Sequence, residues 1–411
     1  MEIAFNVIIF ILQMLLWIIA GYYFIVSVFC LVGKKRSASA GEDRMRTFAV
    51  VVAAHNEENV IGELLDCLNS LDYPRELYEV FVVADNCNDL TTDIAARYGA
   101  AVLNRFDAVN RGKGFALEFA FEHIWEMDRH FDAVAVFDAD NTLSPNFLTE
   151  MNKQLSQGYG AVQGYLDSKN PFDSWVTLSY SLWYWINNNL GQLARHNLNI
   201  SCQLGGTGLV IRTDLLKEIG WGATCLAEDT EFTLKLALKD IKVGWANDAV
   251  VYDEKPSSMD VSYNQRLRWM QGICDVADRF VAPLLKKSFT ERKLEPLHAL
   301  LTFWAPTVYS GSLWAISLLA VLGLIFSGDA TVGSMLLWAN PISISAQLAF
   351  LALNGSLGLF VLHKDKKLSW RVLLGFGSFF VYLLTWIPVS IMGTLKKKET
   401  AWYHTPHGTK K

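Results

Sequence analysis

The chain has little of what would commit it to a metal framework or a nucleic-acid partner. Its six cysteines, Cys30, Cys67, Cys87, Cys202, Cys225 and Cys274, form no CxxC pair and stand at no His/Cys ligand spacing. That excludes a zinc ribbon and a disulfide-stapled scaffold, and it fits thiols kept reduced. There is no basic surplus either: 36 Lys and Arg against 41 Asp and Glu give a net charge of -5. Without a positive field to neutralise a phosphate backbone, nucleic acid is not an expected partner. No internal repeat or low-complexity segment is present, and residues 47–289 contain no apolar run long enough to cross a bilayer.

What is abundant is apolar side chain, 52% of the 411 residues, and the excess sits at the two ends. Residues 5–32 are almost uncharged and stop at Lys34, Lys35 and Arg36. The run exceeds the roughly 20 residues that span a bilayer, and it lacks the basic start and small-residue cleavage site of a signal peptide. Residues 1–36 therefore read as a transmembrane helix, with the chain after Arg36 on the cytoplasmic side of the cell membrane by the positive-inside rule.

Three more apolar segments, 297–326, 335–362 and 368–395, make a C-terminal membrane region, 297–395, ahead of a basic tail, 396–411. Three crossings would leave that tail outside, whereas the basic flanks at 363–367 and 396–398 both belong inside. One segment is thus expected not to cross simply. Pro306 and Pro341 mark 297–326 and 335–362 as the candidates for a re-entrant start.

Between these ends, residues 45–272 alternate short apolar runs with helical patterns, the signature of an α/β domain. The run 48–54 stops at His55-Asn56-Glu57-Glu58, the run 80–84 at Asp85-Asn86-Cys87-Asn88-Asp89, and the run 133–137 at Asp138-Ala139-Asp140. Parallel α/β sheets bind ligands beyond the carboxyl ends of their strands, which is where each acidic cluster falls. Asp138 and Asp140 lie two apart, on one side of an extended segment, and both can address one hard divalent ion that also bridges a diphosphate. Asn110-Arg111-Gly112-Lys113-Gly114 is a cationic, glycine-flanked turn suited to phosphate oxygens or simply to the surface.

Further along, the glycine cluster 204–208 brings backbone close to a neighbour. Ala227-Glu228-Asp229-Thr230-Glu231 opens a helix, where Glu228 and Glu231 suit the positive end of the dipole and Asp229 is placed to take a proton from an acceptor hydroxyl. Gln265-Arg266-Leu267-Arg268-Trp269 joins a fork donor for a leaving diphosphate to an indole face for a sugar ring. The stretch 272–287 sets Val276, Phe280, Leu284 and Leu285 against Asp275, Asp278, Arg279, Lys286 and Lys287. It reads either as part of a membrane-surface region, 273–296, or as a helix buried on the central domain.

In this order, Asp85, Asp138-Ala139-Asp140, Glu228-Asp229 and Gln265-Arg266-Leu267-Arg268-Trp269 resemble the D, DxD, (T/E)D and QxxRW motifs of membrane-integrated, processive family 2 glycosyltransferases. That group includes cellulose, hyaluronan, chitin-oligosaccharide and poly-N-acetylglucosamine synthases, and ceramide glucosyltransferase shares a related pattern. The resemblance implies a cytoplasmic GT-A-type, Rossmann-like α/β domain with α-helical transmembrane segments. It also implies an inverting hexosyltransferase that uses a UDP-sugar, UDP-glucose or UDP-N-acetylglucosamine, with Mg²⁺ or Mn²⁺.

By the same resemblance, Asp85 meets the uracil, Lys113 lies near the donor diphosphate, and Asp138 and Asp140 hold diphosphate and metal. Asp229 is the base; Gln265 and Arg268 hold the donor, while Trp269, Gly206, Thr207 and Glu228 line the acceptor pocket. Ala227 departs from the threonine common before the acidic pair. Trp402 and Thr405 resemble a gating tail motif, with Pro406 and His407 where a basic residue is usual.

The implied product is a polysaccharide elongated at the membrane and passed across it, with an accessory subunit or a homo-oligomer as partner because four helices are few for a channel. The rival readings are single addition to a lipid such as diacylglycerol, ceramide or polyprenyl phosphate, and a membrane channel or receptor with a nucleotide-binding domain.

Overall fold

The structure is a computed structural model and describes residues 2–33, 44–303 and 341–399. Chain order begins with α1 (Glu2–Val28), β1 (Phe48–Ala54), α2 (Ile61–Asn69), β2 (Tyr78–Asp85), α3 (Thr91–Arg97), β3 (Ala101–Arg105), α4 (Lys113–Glu126), β4 (Ala133–Asp138), β5 (Thr142–Leu143) and α5 (Phe147–Ser156). It continues with β6 (Ala161–Ser168), α6 (Trp175–Ile186), a π-helical stretch (Asn187–Leu193), α7 (Ala194–Asn197), β7 (Leu209–Arg212), α8 (Thr213–Ile219), α9 (Glu228–Leu238) and β8 (Val243–Asp253). The long α10 (Met259–Glu291) follows, then α11 (Pro341–Lys364), α12 (Trp370–Leu384) and α13 (Trp386–Leu395).

The strands form one mixed sheet of eight, ordered β3-β2-β1-β4-β7-β6-β8-β5. β1 to β4 are mutually parallel; β7 runs antiparallel between β4 and β6. Runs rich in Val and Ala bury both faces, as crossover helices require. From β1, Ala49 and Val51 enter one layer with Leu117, Ala120 and Phe121 of α4, while Phe48, Val50 and Val52 enter the other with α2 and α5. Register sets the functional edge: Ala54 pairs with Ala84, and Ala53 with Asp138, so the tips of β1, β2 and β4 end level.

The helices after the sheet depart from the expected boundaries. α10 is one helix of 33 residues that carries Gln265 to Trp269 and continues through residue 272 without a break. Its apolar stripe, Val276, Phe280 and Leu284, is buried against Leu234 and Ala237 of α9 and against Ala299 and Leu300. Val276, Phe280 and Leu284 thus follow the alternative of a helix buried on the central domain, while Phe289 and Leu294 of 273–296 stay exposed.

The last apolar segment is split at Thr385 into α12, which packs on α6, and α13, which packs on α10. Among the described residues, 370–395 is long and apolar enough to cross a membrane, yet both its ends are tied to the sheet domain. Lys367 Nζ meets Asp167 Oδ2 at 2.5 Å. At the other end Lys397 pairs with Asp278, and Gln271 donates to the Lys396 carbonyl at 3.1 Å. The expected segments 297–326 and 335–362 lie partly outside the described residues, and so does the tail with Trp402 and Thr405.

α10 crosses the start of α9 at Gly272, where an added Cβ would stand 2.6 Å from the Ala227 nitrogen. Gly272→Ala should destabilise the fold by about 1–3 kcal/mol, because backbone cannot move aside as a flexible side-chain end can. Gly377, with nothing within 4 Å of its added Cβ, is the control. Thermal unfolding of the purified chain should show a lower Tm for Gly272→Ala and no loss for Gly377→Ala.

Candidate active site

The level strand tips open into a cavity of about 870 Å³ bounded by the sheet edge, the start of α9 and the middle of α10. Asp85 ends β2 and is buried; its Oδ1 accepts from Arg105 Nη1 at 2.7 Å and from Asn86 Nδ2 at 2.9 Å. Parallel register sets Arg105, the last residue of β3, directly beside Asp85. The same guanidinium reaches the Asn110 carbonyl at 2.6 Å and Asp107 at 3.1 Å, and so ties the Asn110 to Gly114 turn to the strand tip. Asn56 and Asn86 take left-handed backbone, φ 57° and 52°, a conformation asparagine tolerates. Their side chains accept from the backbones of Asn88 and Asp107.

Asp138 ends β4, and its backbone N–H is held by Thr207 Oγ1 at 3.0 Å and Asn141 Oδ1 at 3.1 Å. Asp140 is buried: Asn141 Nδ2 donates to its Oδ1 at 3.0 Å, and the Glu254 N–H to its Oδ2 at 3.4 Å. Lys113, the first residue of α4, places its Nζ on the Asp138 carboxylate and on the Gly206 carbonyl, the latter at 2.9 Å. Burial works against the Lys113 charge, but the carboxylates of Asp138, Glu228 and Asp229 outweigh it and hold the ammonium above its ordinary value.

The glycine cluster then meets the start of α9. Gly206 is left-handed, φ 78°, and an added Cβ there would lie 3.7 Å from Asp229 Oδ2. Asp229 accepts the Thr230 N–H at 2.6 Å. Burial raises the Asp229 carboxyl; the Thr230 N–H and Lys113 oppose the shift and Asp138 adds to it. Burial likewise pushes Glu228 up to about 7, with Lys113 and Arg268 opposing and Asp229 adding. Glu231 belongs elsewhere: nearly fully buried, it takes Arg279 of α10 at 2.7 Å, so it locks two helices and does not face the cavity chemistry.

Gln265, Arg268 and Trp269 line the same cavity from α10. Gln265 Oε1 accepts from Tyr180 at 3.0 Å, and the Tyr180 ring meets Trp269 edge-on at 6.2 Å. The buried Nε of Arg268 has no hydrogen-bond partner among the described residues. Arg266 points the other way. It is fully buried, donates to Thr385 Oγ1 at 2.8 Å, and stacks over Tyr382 and Trp386 at 4.5 and 5.1 Å.

Arg105, Arg266 and a third residue, Asp253, are absent from the sequence-based site. Asp253 ends β8, lines the cavity and pairs with Lys255 at 2.5 Å. Burial raises its carboxyl, and Lys255 opposes the shift.

These donors suit a hard divalent ion brought in with its diphosphate. Among the described residues no three His, Cys, Asp or Glu side chains make a ready cage, but Asp138 and Asp140 line the cavity at one strand tip. One or two carboxylates plus substrate phosphates is the usual set for Mg²⁺.

A mixed sheet with acidic strand tips, a half-buried acid pair and a cavity of about 870 Å³ is the architecture of a GT-A-like glycosyltransferase domain. The family model described as glycosyltransferase like family 2 matches residues 45–272, more than half of the chain, which belongs to this family and is an enzyme of the hexosyltransferase type. That removes the channel or receptor reading.

Similar proteins include a Bacillus subtilis protein named "Probable glycosyltransferase YdaM", 24% identical over 380 residues and covering 87% of this chain and 86% of its own. The beta-monoglucosyldiacylglycerol synthase of Trichormus variabilis is 27% identical over 237 residues, 54% of this chain and 48% of that one, so the match spans about half its length. The mannosyltransferase PcManGT of Pyrobaculum calidifontis, solved with GDP-Man and Mn²⁺, shares the fold at a TM-score of 0.64 with 18% identity, over 96% of this chain and 99% of that one.

The raised acid pair gives a pH signature. A base acts only when ionised, and burial raises the Asp229 carboxyl, so turnover should fall on the acidic side at a pH above the ordinary aspartate range. Glu228→Gln removes a neighbouring negative charge, makes Asp229 easier to ionise, and should move the acidic limb of kcat/KM to lower pH. Rate profiles of both proteins at saturating donor and metal check this; an acidic limb that does not move separates the two carboxyls.

Proposed function

We propose that this enzyme transfers a hexosyl group from a UDP-sugar, UDP-glucose or UDP-N-acetylglucosamine, to an acceptor hydroxyl with inversion, on a lipid-borne acceptor at the membrane. The observation that carries the reading is the single cavity in which Lys113 joins Asp138 to the Glu228 and Asp229 pair. Donor and acceptor ends of a transfer reaction need that opposition, with cation and metal ligands at the leaving diphosphate and a raised-pKa carboxylate at the attacking oxygen.

Asp85 and the Arg105-braced turn fit the nucleotide base. Asp138, Asp140 and Lys113 fit the diphosphate, with Mg²⁺ or Mn²⁺ held by the two aspartates and neutralising charge on the leaving group when bound. Arg268 and Gln265 face the same phosphates. Asp229 takes the hydroxyl proton as the acceptor oxygen attacks the anomeric carbon from the face opposite the diphosphate. The bond to the diphosphate oxygen breaks and the nucleotide leaves with the electron pair. Gly206, Thr207, Glu228 and Trp269 border the acceptor.

The lipid reading rests on the cavity walls, which include Tyr23 of α1, Leu383 and Leu384 of α12, and Trp386 and Ile387 of α13. In it α1 anchors the chain in the cell membrane, and both ends of 370–395 stay on the cytoplasmic side with the sheet domain. Elongation of a polysaccharide, with translocation and a partner or second copy, is the second reading; the Tyr180 and Trp269 edge contact favours it as a platform for a sugar ring.

Asp138→Asn and Asp140→Asn should each remove most turnover while the chain stays folded, and excess EDTA should likewise remove turnover of the wild type; activity that survives chelation overturns the metal role. Radiolabelled product analysis separates the acceptors. One glycolipid species from both wild type and Trp269→Ala supports the lipid reading, whereas a ladder that Trp269→Ala shortens supports elongation.

A further inference from the structure

Where α1 and the helical residues 295–303 form the cavity wall, it holds a charge that the transfer chemistry above does not use. Arg195 lies on α7, is 4% exposed and lines the cavity with Tyr23, Thr302 and Phe303. Its buried Nε and Nη1 have no hydrogen-bond partner, and no carboxylate lies within ion-pair distance among the described residues. The groups that feel its charge, Tyr22, Tyr23 and His298, carry no negative charge to offset it. Other polar side chains on this stretch are satisfied by protein: Asn188 donates to the Leu166 carbonyl and Gln192 to the Gln203 carbonyl, both at 2.8 Å. The seven π-helical residues just before α7 turn the chain off an ordinary helical path, a feature that recurs at functional sites.

A guanidinium taken out of water without an anion is costly; Arg266 offsets that cost by stacking on Tyr382 and Trp386, whereas Arg195 stacks on no ring among the described residues, which leaves a ligand to bring the anion. The planar fork matches phosphate oxygens two at a time. Apolar and aromatic walls on the same cavity, Tyr23, Phe303, Leu384 and Trp386 among them, suit the hydrocarbon attached to that phosphate.

We infer that Arg195 binds the phosphate of a phosphate-bearing lipid, which is the acceptor or carries it. This rests on the cavity being the transfer site. The phosphate sits at Arg195 among the helices, and the hydroxyl that receives the sugar faces Asp229.

The test uses the full chain in detergent with saturating UDP and Mn²⁺, so that the donor phosphate site is filled. It is titrated with farnesyl phosphate, farnesol and inorganic phosphate while tryptophan fluorescence is followed. Farnesyl phosphate should bind the wild type at least tenfold more tightly than either of the others. Arg195→Met should lose that tenfold and keep its UDP affinity, and Arg195→Lys, which has the charge without the fork, should fall between. Without ligand, Arg195→Met should melt at the wild-type temperature or above, since it removes an unpaired buried charge.

Equal farnesyl phosphate affinity in wild type and Arg195→Met overturns the inference. A melting temperature well below the wild type assigns Arg195 to the fold and overturns it too, and inorganic phosphate binding as tightly as farnesyl phosphate replaces the lipid with a soluble anion. Failure of the wild type to bind UDP overturns the transfer reading itself, so the two failures are told apart.

Discussion

The ammonium of Lys113 is the interaction on which the rest of the site depends. Three carboxylates, on Asp138, Glu228 and Asp229, face one cavity, and their mutual repulsion would neutralise them or push them apart. One half-buried cation beside all three lets a strand tip and a helix start approach. Its position is itself fixed by packing: at the next residue, Gly114, an added Cβ would stand 2.3 Å from the Ala223 carbonyl. The start of α4 is therefore pressed under the loop that leads into α9. The fit that seats Lys113 also seats the acid pair, and any residue larger than glycine at 114 would separate them.

α10 extends that constraint outward. One face carries Gln265, Arg268 and Trp269 into the cavity, and Arg266 leaves the helix toward Tyr382, Thr385 and Trp386. Near its middle, Gly272 meets Ala227 on one side, while Met270 meets Gly393 of α13, where an added Cβ would lie 2.4 Å from the Met270 Cβ. A displacement of α13 is thus transmitted to the residues beside the acid pair with little side-chain slack. The buried Arg266 pays for its burial through two aromatic faces and a hydroxyl, which makes the register between α10 and the apolar helices specific as well as tight.

Much of this was legible because it rests on local rules. Continuous apolar runs that stop at acidic turns identify β1, β2 and β4, and parallel register then brings Asp85 and Asp138 to one edge. The motif residues on α9 and α10 are likewise found in the cavity, because helix starts and helix faces are set by short-range pattern. What escaped depends on pairing at long range. β3 is a short strand with partly buried positions, so Arg105 gives no signal until register sets it beside Asp85. Asp253 closes a strand whose neighbours, β6 and β5, are fixed only by the finished sheet. Arg195 reads as an ordinary basic residue at a helix end, and nothing in its local sequence says that its partners are missing.

The last apolar segment shows the same limit from the opposite direction. Length and hydropathy describe what a segment can do in a bilayer, and 370–395 passes both tests. A simple crossing separates the ends of a helix by the full hydrocarbon thickness, roughly 30 Å, and places them on opposite sides. Here the ends are held by Lys367 on Asp167 and by Lys397 on Asp278, two anchors on one folded domain. The basic flanks at 363–367 and 396–398, which a charge rule assigns to the same side, are the residues that make these contacts. Among the described residues, 370–395 is a broken helix that packs on α6 and α10. The prolines at 306 and 341 draw attention to other segments, while Pro388, equally visible in sequence, sits at the break: it has no N–H for the Leu384 carbonyl, and Thr385 Oγ1 donates to the Tyr382 carbonyl and accepts from Arg266.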